Sequence, residues 1–263
     1  MRIIILGGSG FIGSFLRREL TNRGHRVIVP TRRDIRIKDA QTIRISGKPD
    51  EYVRLIRDIS PDVVVNLIGV LRGDYSLHYV IPRALSGVLE ETGIRLIHVS
   101  ALGANKGSRI EYFRTKGLGE EEVKKLNDYA VVRPSLVLGP GQKLFKTILR
   151  WKIFPKLETP VQPADVRDLA KFLAELAEKK GKTEANVCGR EIIPLDELVK
   201  EVIKRAGKRV YFVPLPGSLI RIAGKLDSSV LLALKPSVCP KKHSIIFGRP
   251  LEESLLWTVE GLR

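Results

Sequence analysis

The chain alternates between short, almost wholly apolar runs and longer segments whose apolar positions recur every three or four residues. RIIIL at Arg2–Leu6 predicts a buried strand. The 3.6-residue period from Phe11 to Arg23 predicts a helix, which Gly24 can close in a left-handed cap. RVIVPTR (Arg26–Arg32) predicts a second strand, TIRIS (Thr42–Ser46) a weaker third, and Asp50–Asp58 a helix. The same alternation continues with a strand at Val63–Ile68, a helix from Ser76 to Thr92 closed by Gly93, and a strand at Arg95–Ala101. A helix over Glu111–Lys125 and a strand at Tyr129–Ser135 complete it. Strands that alternate with helices at this spacing form βαβ units, and runs that are apolar on both faces lie between two helical layers. The pattern therefore predicts an α/β fold: a Rossmann-type doubly wound parallel sheet.

Beyond Ser135 the pattern loosens. VLGPGQ reads as a loop, and Pro155, Pro160 and Pro163 punctuate an irregular stretch. A helix at Val166–Lys179, a short strand at Ala185–Cys188 and a helix at Leu195–Ala206 follow. The tail from Val210 reads as a small C-terminal α/β lobe over the carboxyl edge of the sheet, where ligands of open α/β sheets bind. The expected division is a dinucleotide-binding core at 1–140, with segments of about 164–195 packing onto it, and a substrate or partner lobe at 141–263.

The turn after the first strand carries the candidate chemistry. In GGSGFIG, Gly7 permits the tight turn, Gly10 lets backbone approach a pyrophosphate, and Gly13 allows close packing of the helix. Ser9, Phe11 and Ile12 complete a cradle in which phosphate meets the unsatisfied amides of a helix N-terminus. The second strand ends in PTRRD. An acidic residue there would select the ribose of NAD(H), but Arg32 and Arg33 stand where a 2′-phosphate would lie, and Asp34 comes too late. The expected cofactor is NADP(H) rather than NAD(H).

Charge adds one open question. Lys and Arg number 46 against 29 Asp and Glu, a net +17. One reading is an anionic membrane surface or a protein complex as partner; the other is the solvated surface of a thermophile's protein, which fits three Gln, two Cys and one Met. No nucleic-acid motif is present, so no specific nucleic-acid binding is expected. The longest apolar runs are too short to span a bilayer, and the N-terminus reads as structure rather than a signal peptide, giving a cytoplasmic expectation with a peripheral membrane site as its variant. Cys188 and Cys239 read as two ordinary residues. Cys239 and His243 lie four apart without a second ligand pair, and the other histidines are scattered, so no metal site is expected. Phe145, Trp151 and Phe154 can line a pocket mouth or pack in a core.

GGSGFIG, TRR, DVVVNLIG, HVSALGA, YFRTK and RPSLVLGPG together resemble the extended, atypical short-chain dehydrogenase/reductase family (epimerase/dehydratase-like) over about residues 1–215. Within it the likeness is to the branch of the NADPH-binding accessory subunit of respiratory complex I. The resemblance implies that Tyr112 and Lys116 are the family's YxxxK pair, with Lys116 on the nicotinamide ribose and Tyr112 a general acid or base. It places Ile68 and Gly69 against the adenosine and its ribose, and Pro134 and Val137 along the nicotinamide. The chain also departs from the family. Ala101 and Leu102 occupy the places of the catalytic serine or threonine, leaving Ser100 as either a shifted substitute or a cofactor-bonding or backbone-bonding group. Ser46–Gly47 replaces the aspartate expected before the next helix, and Asn66 reads as a buried polar group bonded to backbone. Two functions follow. One is an NADP(H)-dependent oxidoreductase or epimerase-like enzyme acting on an unidentified small carbonyl or nucleotide-sugar-like molecule. The other is a catalytically weak accessory or assembly protein of a membrane-associated complex.

Overall fold

The protein is described from a computed structural model that covers residues 1–70, 74–214 and 232–262. These residues form two compact units. The first comprises Met1–Arg133 and Leu169–Ala185, the second Pro134–Asp168 and Asn186–Arg263.

In the first unit, strands β1 (Arg2–Leu6), β2 (Arg26–Thr31), β3 (Gln41–Arg44), β4 (Val63–Asn66), β5 (Arg95–Val99) and β6 (Tyr129–Pro134) alternate with helices α1 (Phe11–Asn22), α2 (Pro49–Ile59), α3 (Leu77–Thr92) and α4 (Glu111–Val123). The β2 strand stops at Thr31, one residue before the predicted end, so Arg32 belongs to the loop. β11 (Lys182–Cys188) adds the last strand beside β6, giving the order β11-β6-β5-β4-β1-β2-β3. From β3 through to β6 the registers are parallel, with Ile3 opposite both Val27 and Val63, and Asn66 opposite His98.

Strand periodicity sorts the core into two layers. Ile4, Leu6, Ile28, Val64 and Leu96 pack under α2, α3 and α4 through Tyr52, Ile56, Leu85, Leu89 and Val123. Their alternates Ile3, Ile5, Val29, Val65 and Ile97 are also fully buried, on the side of Leu16 and Leu20 of α1. Helix α6 (Val166–Ala177) joins that layer: Glu178, just past its end, pairs with Arg23 and His25 at 3.0 Å each. The chain order reverses between β1 and β4, so the crevice at the carboxyl ends of these strands is the topological switch point, where open α/β sheets bind ligands.

The second unit holds β7 (Val137–Leu138), α5 (Lys143–Trp151), β8 (Ile153–Pro155), β9 (Pro160–Val161), β10 (Ala164–Asp165), β12 (Ile193–Pro194), α7 (Leu195–Arg205), β13 (Tyr211–Val213), β14 (Ser244–Ile246) and a last helix, α8 (Leu251–Glu260). Here the end of β11 pairs in parallel with β14. The helix α5 replaces part of the stretch expected to be irregular. Its Phe145 and Ile148 are buried with Phe154, Leu198 and Val202 in one cluster. Residues 215–231 of the tail expected to cover the sheet edge lie outside the described residues.

The two cysteines are not the ordinary residues expected. Cys188 at the end of β11 and Cys239 form a disulfide with their Cα atoms 6.0 Å apart. A pair 51 positions apart in sequence becomes visible only when β11 and the tail are folded together. Among the described residues no helix is long and apolar enough to cross a membrane.

Candidate functional site

The glycine turn is shaped by what a side chain would strike. Gly7 has φ of +78°, and a Cβ there would stand 3.2 Å from the backbone of Leu67. A Cβ on Gly13 would fall 2.6 Å from Gly7 O and Gly8 Cα, so α1 starts directly against the turn rather than against the strand. A Cβ on Gly8 would meet Val29 at 2.8 Å, which makes this fourth glycine a packing requirement that the sequence pattern did not single out. Gly10 N–H donates to Gly7 O at 2.9 Å, and the first helical bond runs from Ser14 N to Gly10 O at 3.0 Å. The amides of Phe11, Ile12 and Gly13 therefore precede the helical ladder. Gly10 supplies no side-chain cap and the first turn has no acid. Unclaimed amides and the positive end of the helix dipole suit a phosphate.

At the end of β2, Arg33 N–H donates to Thr31 Oγ1 at 3.2 Å and its guanidinium reaches Ser9 Oγ at 3.4 Å, so this cation stands over the glycine turn. Arg32 lies instead against Gly47, whose Cβ position is 2.8 Å from Arg32 Cδ. The loop that carries Gly47 is gathered by Glu51, which accepts from Ser46 Oγ and from the amides of Ser46, Gly47 and Lys48. These bonds, led by that from the Ser46 hydroxyl, hold the Glu51 carboxyl down to about 2. Ser46–Gly47, read from sequence only as a missing aspartate, is thus a built support for Arg32. Arg17 adds a brace that sequence reasoning missed, donating to Gly8 O at 2.8 Å and pairing with Asp39.

Past β4 the chain returns to the same edge. Asn66, 1% exposed, accepts from Ile68 N–H at 3.0 Å and its amide meets His98 Nδ1 at 3.2 Å, a buried polar bridge as expected. With Nδ1 accepting, the His98 proton sits on Nε2, and burial holds its pKa well below the usual range. Three residues after Asn66, a Cβ at Gly69 would lie 3.2 Å from Lys116 Nζ. A side chain there would press on that ammonium and make it shift.

Lys116 is 3% exposed and donates to Val99 O at 3.1 Å. Burial lowers its pKa to about 8, against the opposing pull of Glu120 one turn further along α4. Tyr112, one turn earlier, is held among the rings of His78, Phe113 and Tyr75 at centroid distances of 5.3, 5.3 and 6.1 Å. Burial pushes its hydroxyl up to about 12. His78 belongs to this group, although in sequence it was merely a scattered histidine. Its Nε2 accepts from Val70 N–H at 2.9 Å and its Nδ1 faces Thr115 Oγ1 at 3.1 Å. Thr115 in turn donates to Glu111 O, so the imidazole proton sits on Nδ1. Burial, then the neighbouring Lys116 charge, hold His78 near 3 and therefore neutral.

Ser100 is buried, donates its N–H to Val132 O at 2.8 Å, and its Oγ has no hydrogen-bond partner among the described residues. The first unit thus brings together the glycine turn, Arg32, Arg33, Ile68, Gly69, Ser100, Tyr112 and Lys116. Pro134 and Val137 belong to the second unit, where both are buried and Val137 pairs with Ala164. Of the three candidate aromatics, Phe145 and Phe154 are core and Trp151 is 71% exposed.

Comparison with known proteins agrees with this architecture. Residues 3–188 match the family model described as the NAD dependent epimerase/dehydratase family. The chain is similar to the mitochondrial NADH dehydrogenase (ubiquinone) 1 alpha subcomplex subunit 9 of Rattus norvegicus, at 29% identity over 84% of this chain and 66% of that protein. It thus spans just under two thirds of that subunit's length. It is also similar to a ceramide reductase of Caulobacter vibrioides, at 27% identity over 90% of this chain and 80% of that one. The fold is shared with the UDP-glucose 4-epimerase of Thermotoga maritima, solved with UDP-glucose (TM-score 0.77, 20% identity, 100% and 99% of the two chains). It is shared as well with the dTDP-4-dehydrorhamnose reductase of Bacillus anthracis, solved with NADP (TM-score 0.72, 19% identity, 100% and 99%).

Proposed function

Because the chain belongs to the NAD dependent epimerase/dehydratase family, we propose that it binds NADP(H) and acts as an oxidoreductase or epimerase on a carbonyl or nucleotide-sugar-like substrate. One observation carries this reading. The glycine turn abuts Leu67, Gly69 abuts the Lys116 ammonium, and Lys116 lies one helical turn from Tyr112, so the expected phosphate, ribose and proton-transfer groups form one continuous path.

The bound dinucleotide supplies or accepts a hydride. The amides of Phe11, Ile12 and Gly13 hold its pyrophosphate, Arg32 and Arg33 its 2′-phosphate, and Ile68 and Gly69 lie along its adenosine and ribose. With the dinucleotide bound, Lys116 would donate to the nicotinamide ribose in place of Val99 O. The assignment of Pro134 and Val137 to the nicotinamide rests on family resemblance alone, as does the division into a cofactor core at 1–140 and a substrate or partner lobe at 141–263. A Tyr112 hydroxyl raised to about 12 stays protonated at neutral pH, which suits proton donation to a carbonyl oxygen as hydride reaches its carbon. The uncommitted Ser100 Oγ is the hydroxyl available to bond that oxygen in place of the family's serine or threonine.

A second reading is favoured by Ala101 and Leu102 at the usual serine or threonine place, and by the likeness to a complex I subunit. It makes the protein an accessory or assembly factor that keeps the dinucleotide as a structural ligand. The test mixes purified protein with NADPH and a panel of carbonyls and sugar nucleotides. Oxidation of NADPH, or epimerisation of a sugar nucleotide, that Tyr112→Phe abolishes supports the enzyme, whereas retained NADPH with neither reaction across the panel supports the accessory role. In the same titrations Arg33→Ala lowers NADPH affinity about tenfold or more, the scale of a charged hydrogen bond, and leaves NADH unchanged. Equal affinity for the two cofactors, untouched by the substitution, refutes the NADP assignment.

A further inference from the structure

We propose that the second unit carries a membrane-docking corner, made of Trp151, Ile153 and Tyr211 within a cluster of cations, that seats on an anionic phospholipid surface. The corner follows from local geometry. Helix α5 buries Phe145 and Ile148 and ends at Trp151, which is left 71% exposed. Lys152 then turns the chain sharply, at φ of +58°, an uncommon conformation for a residue with a side chain. Its carbonyl accepts from Tyr211 N–H at 2.9 Å, which starts the β8–β13 ribbon with Ile153 opposite Tyr211. In that ribbon Phe154 and Phe212 turn inward and meet edge to face at 6.1 Å, so the alternation directs Ile153 and Tyr211 outward, 56% and 71% exposed. A helix end and a ribbon end thus present three large apolar side chains side by side. Surfaces of folded chains avoid such patches unless something covers them.

Charge identifies the cover. From Lys143 to Leu157 the chain has five cations (Lys143, Lys146, Arg150, Lys152 and Lys156) and no acid, and Lys208 and Arg209 precede Tyr211. All seven are exposed, and among the described residues only Lys156 has an ion-pair partner, Glu158 at 3.8 Å. Cations without an ion-pair partner occur elsewhere on this +17 chain too, but here they surround exposed Trp and Tyr rings. Amphipathic Trp and Tyr rings ringed by unpaired Lys and Arg suit the headgroup level of a bilayer, where aromatics sit shallowly and cations meet diffuse negative charge. A protein partner would need matched donors and a fitted shape, neither of which this spread of flexible cations requires.

The test uses the whole protein with Trp257 replaced by Phe, which leaves Trp151 as its sole tryptophan. Flotation with phosphatidylcholine vesicles is compared with vesicles in which about a third of the lipid is phosphatidylglycerol. The expected result is binding to the anionic vesicles only, weakened by salt and accompanied by a blue shift of Trp151 emission. Lys146→Gln and Arg150→Gln each lower the partition about fivefold. Trp151→Ser combined with Tyr211→Ser, made with Trp257 retained, removes binding. Three results overturn the proposal. One is no binding to anionic vesicles at low salt. Another is binding that the double variant leaves intact, with no emission shift in the Trp257→Phe protein. The third is tighter, double-variant-sensitive binding to polyglutamate or DNA than to vesicles, which assigns the corner to a different class of partner.

Discussion

Replacing Lys116 with Met should make the protein more stable while it loses its cofactor, a combination that few other positions in the fold can give. Lys116 is 3% exposed, and burial lowers its pKa from 10.5 to about 8. The difference is worth about 3 kcal/mol of disfavoured charge. Against this stands its one bond, to Val99 O, whose loss costs about 1–2 kcal/mol because the carbonyl is left buried. The net expectation for Lys116→Met is a gain of about 1–2 kcal/mol at pH 7, or about 2–8 °C in Tm. The sign has a signature in pH. Below pH 8 the lysine is charged in both states and the folded state bears the whole penalty. Between pH 8 and 10.5 the unfolded chain keeps a proton that the folded chain has released, so stability of the parent protein rises with pH. The advantage of the variant should therefore hold below pH 8, shrink above it, and reverse once the lysine is neutral in both states. Urea unfolding of both proteins at a series of pH values reads this directly, while NADPH titration reads the lost ribose contact. A variant that is less stable at pH 7, or whose difference from the parent does not change up to pH 10.5, refutes the reasoning.

Other expectations follow from the same geometry. Gly13→Ala drives a methyl to 2.6 Å from two backbone atoms of the glycine turn and should destabilise by about 1–3 kcal/mol, despite the higher helix propensity of alanine. NADPH affinity should fall with it, and an unchanged urea midpoint with unchanged affinity would refute the packing role. Cys239→Ser opens a loop spanning 51 positions, which chain entropy values at up to about 4 kcal/mol. Its urea midpoint should drop and become insensitive to dithiothreitol, whereas the parent should fall to the same midpoint once reduced. In the free protein NADPH affinity should also decline as pH rises through about 8 and the Lys116 ammonium loses its charge.

What could be read from the sequence was whatever local pattern determines. Strands β1, β4, β5 and β6 are apolar on both faces, and Gly24 and Gly93 adopt the positive φ expected of residues that close helices. The glycine turn could be recognised because its spacing is local and Gly10 and Gly13 answer contacts within the turn itself, although Gly7 and Gly8 also answer Leu67 and Val29. Features made by distant partners could not. Helix α5 has only two fully buried positions, Phe145 and Ile148, between glycine-rich and proline-rich stretches, so its period was too short to stand out. Helix α8 did carry signals, a proline cap followed by Glu252 and Glu253 and then apolar Leu255 and Val259, yet it lay in a tail without a strand to anchor it. β14 is three residues long and owes its existence to β11. His78 is the most instructive omission. Nothing around it in sequence marks it, and only the approach of Val70, Thr115 and Tyr112 in space makes it a neutral wall beside Lys116.

The Cys188–Cys239 bridge has a consequence for how this protein can change. It closes residues 189–238 into a covalent ring whose ends are fixed whatever the ring contains. Closure entropy grows only with the logarithm of length, so doubling such a loop costs about 0.6 kcal/mol. Insertions or deletions inside the ring but outside its packed elements β12, α7 and β13 are therefore cheap, whereas one in the glycine turn would displace every contact described there. The bridge makes the part of the chain after the last central strand a cassette, open to a new length without loss of the scaffold that holds it.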